Sequence, residues 1–202
     1  TLLNAKKGLP IKVTIVPRGQ ALGAAWYLPE ERQITTKAQL LDQMVSLLGG
    51  RAAEELVFGE VSTGALNDLE RVTKQAYAMV VYYGLDKEIG NLSFYDSSGQ
   101  SEYGFQKPFS EKTAEKIDAQ IRTMVEEAYE KAKSLLKDNR EKLDALAQIL
   151  VEREVIFRED VEAIYGPRPW DAETEIKKDE TETKKEKIEI KKEEIEIKKE
   201  ND

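Results

Sequence analysis

One stretch of this chain sets small and polar residues before a helix and a carboxylate inside its first turn: Ser62-Thr63-Gly64-Ala65-Leu66-Asn67-Asp68-Leu69-Glu70. Asp68 is the group there suited to chemistry, because a carboxylate can ligate a metal or carry a proton. The plainer reading is that it complements the positive end of a helix dipole, worth roughly 0.3–1 kcal/mol. Glu54 and Glu55 form a second candidate pair. Adjacent residues lie about 100° apart around a helix, so the two cannot face one point as an acid–base couple. A surface or helix-pairing role is the plainer reading for them. Gly49-Gly50 has no following Gly-Lys-Ser/Thr and no G-x-G-x-x-G, so it reads as a helix break rather than a phosphate cradle. Tyr77, Tyr82 and Tyr83 have spacings that suit core and rim packing.

Absences narrow the chemistry further. The 202 residues include no Cys and no His. Disulfides and thiolate chemistry are excluded, and so are the commonest general base and the commonest transition-metal ligand. The formal net charge is −8. Phosphate-backbone affinity comes from Lys and Arg displacing counterions, so nucleic acid is set aside as a partner. No apolar run is long enough to cross a bilayer. The first residue is Thr1 rather than Met, which reads as a piece of something longer, with any membrane anchor outside it.

The elements that must position these residues are mostly helical. Lys12–Val16 and Leu22–Leu28 read as two short strands of a hairpin-like unit, separated by the turn signal Pro17-Arg18-Gly19. Thr36 with Gln39 fits a capping box, and Leu41, Met44, Val45 and Leu48 follow at helical spacing until Gly49-Gly50. Arg51–Phe58 reads as a separate short helix closed by Gly59. Glu60–Gly64 reads as a loop. Leu69, Val72, Ala76, Met79 or Val80, and Tyr83 trace the next apolar face, stopped by Gly84. From Gly90 to Pro108 no period is clean, and a structured loop or short strands are expected. Ser110 is a candidate cap for a long helix with the stripe Ile117, Ile121, Val125, Ala128, Ala132 and Leu135. Asp138 with Glu141 suggests a restart carrying Leu143, Leu146, Ala147 and Leu150, and Arg158–Tyr165 suggests a last short helix. The expected fold is mainly α, with a small β element near the N-terminus. Residues 1–170 form the domain, and residues 171–202 are a charged tail too poor in apolar side chains to offset its ordering entropy, expected to be disordered.

Five strings taken together resemble the FtsH family of AAA+ zinc metalloproteases: KVTIVPRGQALG at Lys12–Gly23, YLPEE at Tyr27–Glu31, LGGRAAEELVFG at Leu48–Gly59, STGALNDLE at Ser62–Glu70, and VEREVIFREDV at Val151–Val161. They run collinearly from about Ile11 to Trp170 at the family's spacing. The resemblance implies a helical metallopeptidase domain. Its H-E-x-x-H helix supplies two zinc-binding histidines and a glutamate that activates water. It implies Asp68, in the T-G-A-x-N-D motif, as the third zinc ligand. It also matches Glu54 and Glu55 to the family's A-E-E string, where one of them would orient a ligand histidine through a hydrogen bond. Gly23, Ala24, Ala25, Trp26 and Tyr27 become a candidate edge for substrate bound as an added strand, with plain sheet packing as the alternative.

By the family's spacing, H-E-x-x-H falls a few residues before Thr1. The expectation is therefore an N-terminally truncated peptidase domain whose metal site is incomplete and which is inactive alone. The parent is expected to be an ATP-dependent zinc endopeptidase with Zn²⁺ in its peptidase domain and ATP and Mg²⁺ at an upstream AAA+ module. It would form a homo-hexamer and degrade unfolded or misassembled membrane and cytosolic proteins. It would be anchored in a bacterial inner membrane with this domain facing the cytoplasm. The alternative is a non-catalytic hexameric scaffold or chaperone lacking the zinc site.

Overall fold

A computed structural model describes residues 10–17, 23–27, 34–95 and 108–166. The expected tail and most of the aperiodic stretch before Pro108 lie outside the described residues. Helices dominate the remainder, as the apolar periods imply. They are α1 (Lys37–Phe58), α2 (Leu66–Tyr77), α3 (Glu111–Asp138), α4 (Arg140–Arg153) and α5 (Arg158–Tyr165). Three short strands, β1 (Lys12–Thr14), β2 (Ala24–Trp26) and β3 (Val155–Phe157), make one antiparallel sheet in the order β2-β1-β3.

The start of α1 follows its sequence signal. The Thr36 side chain accepts from the Gln39 amide and the Gln39 side chain accepts from the Thr36 amide, which completes the capping box. The expected break at Gly49-Gly50 is corrected: α1 runs unbroken through both glycines to Phe58 and closes on Gly59 at φ 73°. Each glycine costs a helix interior about 1 kcal/mol relative to Ala. Burial of Met44, Val45 and Leu48 before them and Ala52 after them on the same helix outweighs that cost.

The segment from α2 onward explains an ambiguity in the apolar period. Helix α2 continues into a π-helical segment, Ala78–Tyr82, in which the Tyr83 amide bonds to the Ala78 carbonyl. This wider turn brings the consecutive residues Met79, Val80 and Val81 all into the core. Gly84 then stops the run at φ 60°. A Cβ there would lie 3.2 Å from the Leu92 carbonyl oxygen, so a side chain would strain both the angle and the contact.

One core joins α1, α2, the π segment and α3. Its buried members on α2 and α3 are Val72, Ala76, Ile117, Met124, Ala128 and Ala132. Ile121, Val125 and Leu135 of the expected stripe pack at its margin. The expected restart is present as α4, with its cap one residue later than Asp138. Asp138 ends α3, and Asn139 is the junction residue, donating its side-chain amide to the Leu135 carbonyl. Leu150, Ile156 and Val161 are buried apart from the helical core, toward the sheet end.

The sheet needed a partner that local patterning did not reveal. Strand β3 is three residues long between two helices, too short to show a period. Thr14 Oγ1 and the Ile15 amide both donate to the carbonyl of Glu154. Glu154 itself sits at φ 58°, a left-handed conformation uncommon outside glycine.

A Cβ added at Gly50 meets nothing within 4 Å. Gly50→Ala is therefore expected to stabilise this chain by about 1 kcal/mol, read as a raised urea midpoint with an unchanged m-value.

Candidate functional site

The turn that delivers Asp68 is held from outside itself. Ser62 caps the 3₁₀ turn Thr63–Ala65, its Oγ accepting from the Gly64 amide at 3.2 Å. Glu54, one turn before the end of α1, accepts from the Ser62 amide at 3.1 Å and from Ser62 Oγ at 2.8 Å. Arg51 donates to the Ser62 carbonyl at 3.5 Å. The Ser62 amide and hydroxyl, aided by the Arg51 charge and opposed by partial desolvation, hold the Glu54 carboxyl below the ordinary glutamate range.

Asp68 follows in the first turn of α2, half-exposed. No hydrogen bond or ion pair among the described residues engages its carboxylate. At the other end of the pairing, Gln75 donates to the Leu40 carbonyl at 2.7 Å and lies 3.4 Å from Gln43 Oε1. Helices α1 and α2 are thus antiparallel and tied at both ends. Asp68 and Gln75 are seven residues apart and share one helical face.

Glu54 and Glu55 serve different helices, as their angular separation requires. Glu55 accepts a hydrogen bond from the Tyr129 hydroxyl on α3 and lies 3.6 Å from Lys133 Nζ. Lys133 also pairs with Glu130 at 2.6 Å and sits 5.0 Å from the Tyr129 ring centroid. Burial first, and the Glu55 carboxylate second, push the Tyr129 hydroxyl up to about 12. The Tyr129 hydrogen bond, then the Lys133 charge, hold Glu55 below the ordinary range.

The strand expected over Leu22–Leu28 is shorter, Ala24–Trp26, with Gly23 and Tyr27 flanking it; Leu22 and Leu28 lie outside the described residues. Gly23 must be glycine, since a Cβ there would sit 2.7 Å from the Thr14 carbonyl oxygen. β2 lies at the end of the strand order, so its outer side pairs with no strand among the described residues.

Among the described residues no group of three or more His, Cys, Asp or Glu side chains is arranged to hold a metal. The half-exposed Asp68 carboxylate suits one ligand position. One oxygen donor with no histidine anywhere in the chain does not make a zinc site. The local signals in the sequence mark Asp68 and Ser62. They do not reveal Arg51, Gln75, Tyr129 or Lys133 as the groups that fix the frame, because those contacts join separate helices.

The sequence profile of Peptidase family M41 matches residues 2–164. The ATP-dependent zinc metalloprotease FtsH of Parabacteroides distasonis is 62% identical over 160 residues, which cover 79% of this chain and 23% of that protein. The protein of the same name from Rhodothermus marinus is 54% identical over 165 residues, covering 79% and 23%. The mitochondrial inner membrane m-AAA protease component AFG3L2 of Mus musculus is 42% identical over 160 residues, covering 79% and 20%. The chain thus spans between a fifth and a quarter of the length of these relatives.

Two titrations follow from this geometry. Glu54 and Glu55 have folded-state values below the usual 4.5, so their contribution is complete above that pH and is lost as pH falls through the depressed values. Tyr129 is raised from 10.0 to about 12, so its contribution is complete below pH 10 and is lost as pH climbs through about 12. Thermal melts across pH should show Glu54→Gln with a shallower acid limb than wild type, and Tyr129→Phe with a shallower alkaline limb.

Proposed function

The chain belongs to peptidase family M41, and on that premise we propose that it supplies most of the peptidase domain of a membrane-anchored, ATP-dependent zinc endopeptidase. The single observation that carries the assignment of a role to a residue is Asp68. Its half-exposed carboxylate has no hydrogen-bond or ion-pair partner among the described residues, and it is presented by a turn clasped from a neighbouring helix. Such a carboxylate is suited to accept a bond from outside the described residues.

In this reading, residues 1–170 form the peptidase portion and residues 171–202 a charged tail. Two histidines of an H-E-x-x-H helix, carried by polypeptide preceding this chain, complete the zinc site with Asp68 as third ligand. Zinc bound there would act as the Lewis acid for peptide hydrolysis. This chain's own part is to hold an oxygen donor in place. Glu54 fixes the main chain at Ser62, the 3₁₀ turn hands that position on to α2, and Asp68 projects one turn later. Glu55 anchors α1 on α3 through Tyr129, so the helix bearing the clasp cannot rotate freely. One of the two glutamates would in addition orient a ligand histidine; Glu54, beside the Asp68 turn, suits that better than Glu55. The outer side of β2 receives an extended substrate by main-chain pairing, which needs no particular sequence.

The parent would form a homo-hexamer. ATP and Mg²⁺ would act at an AAA+ module upstream, which would feed unfolded or misassembled membrane and cytosolic proteins to the site. No helix of the described residues is long and apolar enough to cross a membrane. The anchor belongs to other parts of the parent, in a bacterial inner membrane with this domain facing the cytoplasm. A non-catalytic hexameric scaffold is not favoured, since the relatives named above are proteases by name.

Asp68→Asn in the intact protein is expected to lower bound zinc and casein cleavage by at least tenfold while ATP hydrolysis is largely kept. Metal analysis, a casein assay and a phosphate-release assay read the three. Full zinc content in that variant would refute the ligand role. The 202-residue chain alone is expected to retain no stoichiometric zinc after gel filtration.

A further inference from the structure

One face of the sheet carries a row of side chains that main-chain pairing alone does not use. In the strand register, Trp26 of β2 lies opposite Lys12 of β1, and Lys12 lies opposite Phe157 of β3. The three therefore stand side by side as aromatic, cation, aromatic. Lys12 Nζ is 5.6 Å from the Trp26 ring centroid. Trp26 is 39% exposed and Phe157 51% exposed, whereas Ile156, on the opposite face, is fully buried. The row thus faces outward.

The edge next to this row is selective by composition. Strand β2 reads Ala24-Ala25-Trp26, so two of its three side chains end at Cβ. The Trp26 carbonyl accepts from the Ile11 amide, so Trp26 turns its main-chain groups toward β1. Main-chain groups alternate along a strand, so Ala25 presents its N–H and C=O to the outer side. An extended peptide pairing there would meet main-chain partners at Ala25 and a single large side chain at Trp26.

We infer that Trp26 sets the side-chain preference of the peptide that pairs with β2, favouring an aromatic or β-branched residue opposite it and disfavouring a basic one. This rests on the edge-strand reading of substrate binding given above. Residues directly opposite on neighbouring strands have Cβ atoms about 4.5–5.5 Å apart, and an aromatic or branched pair gains up to about fivefold in equilibrium constant over alanine. A ring or branched chain in that place would extend the exposed row by one member. A lysine there would gain little, because the Lys12 ammonium already lies by the indole and repels a second cation. Opposite Ala24 and Ala25 the peptide meets only methyl groups, so those positions discriminate weakly. The substrate class is an extended segment with one apolar anchor and no basic residue in that register.

The test uses the intact zinc- and ATP-loaded protease and fluorogenic decapeptides in which one position at a time is Phe, Val, Ala or Lys. At one position kcat/KM for Phe and Val should exceed that for Ala by up to about fivefold, with Lys below Ala. Trp26→Ala should bring the Phe/Ala ratio at that position close to one. Trp26→Phe should keep most of it, and Lys12→Met should raise Lys relative to Ala. A Trp26→Ala profile that matches wild type overturns the inference. N-methylating the peptide at alternate residues away from the scissile bond separates the two readings. If it leaves kcat/KM untouched, edge pairing itself fails, and the inference with it. If it lowers kcat/KM while Trp26→Ala changes no preference, edge pairing stands and only the assignment to Trp26 fails.

Discussion

A carboxylate on one helix holds the main chain that leads into the next. Glu54 takes both the amide and the hydroxyl of Ser62, and the placement of Asp68 depends on that clasp. Without it, the four residues between α1 and the 3₁₀ turn would be an ordinary exposed loop. With it, the first turn of α2 starts from a fixed point. Gln75 repeats the arrangement at the far end by seizing the Leu40 carbonyl. Two polar ties at the ends of an apolar contact set the slide and tilt of one helix on the other, which burial alone leaves loose.

These ties contribute geometry more than stability. Exposed ion pairs and hydrogen bonds are worth little in water. The stability resides in the buried cluster of Met44, Leu48, Met79, Ile117 and their neighbours. Truncating one such side chain costs about 2–5 kcal/mol. Alanines at 52, 76, 128 and 132 are buried in the same core, small side chains that leave little volume between the helices. The two parts divide the work: the core sets how firmly the helices are held, and the clasp sets where the turn leading to Asp68 begins.

Legibility in the sequence tracked how local each determinant is. The capping box at Thr36, the Gly59 and Gly84 stops, the Ser110 cap and the Arg158–Tyr165 helix all depend on residues within a few positions of one another, and all were readable. The helix through Gly49-Gly50 was not, because local propensity argued for a break and tertiary burial overrode it. Strand β3 was not readable either, since its reason for being a strand is β1, far away in the chain. At the candidate site, spacing and resemblance pointed to Asp68, Glu54 and Glu55. Periodicity could not reveal that Glu54 grips Ser62 or that Glu55 grips Tyr129, because those partnerships exist only once α1 has met α2 and α3.

The sheet closes with a strand that arrives late. Thr14 and Glu154, joined by a hydrogen bond, are 140 residues apart. A two-strand hairpin of three-residue strands is marginal by itself. During synthesis the helices can therefore assemble while β1 and β2 still lack their third member, and closing so long a loop is slow. Maturation of this edge is thereby coupled to completion of the domain, and a nascent chain carries no finished strand template with which to capture its neighbours on the ribosome.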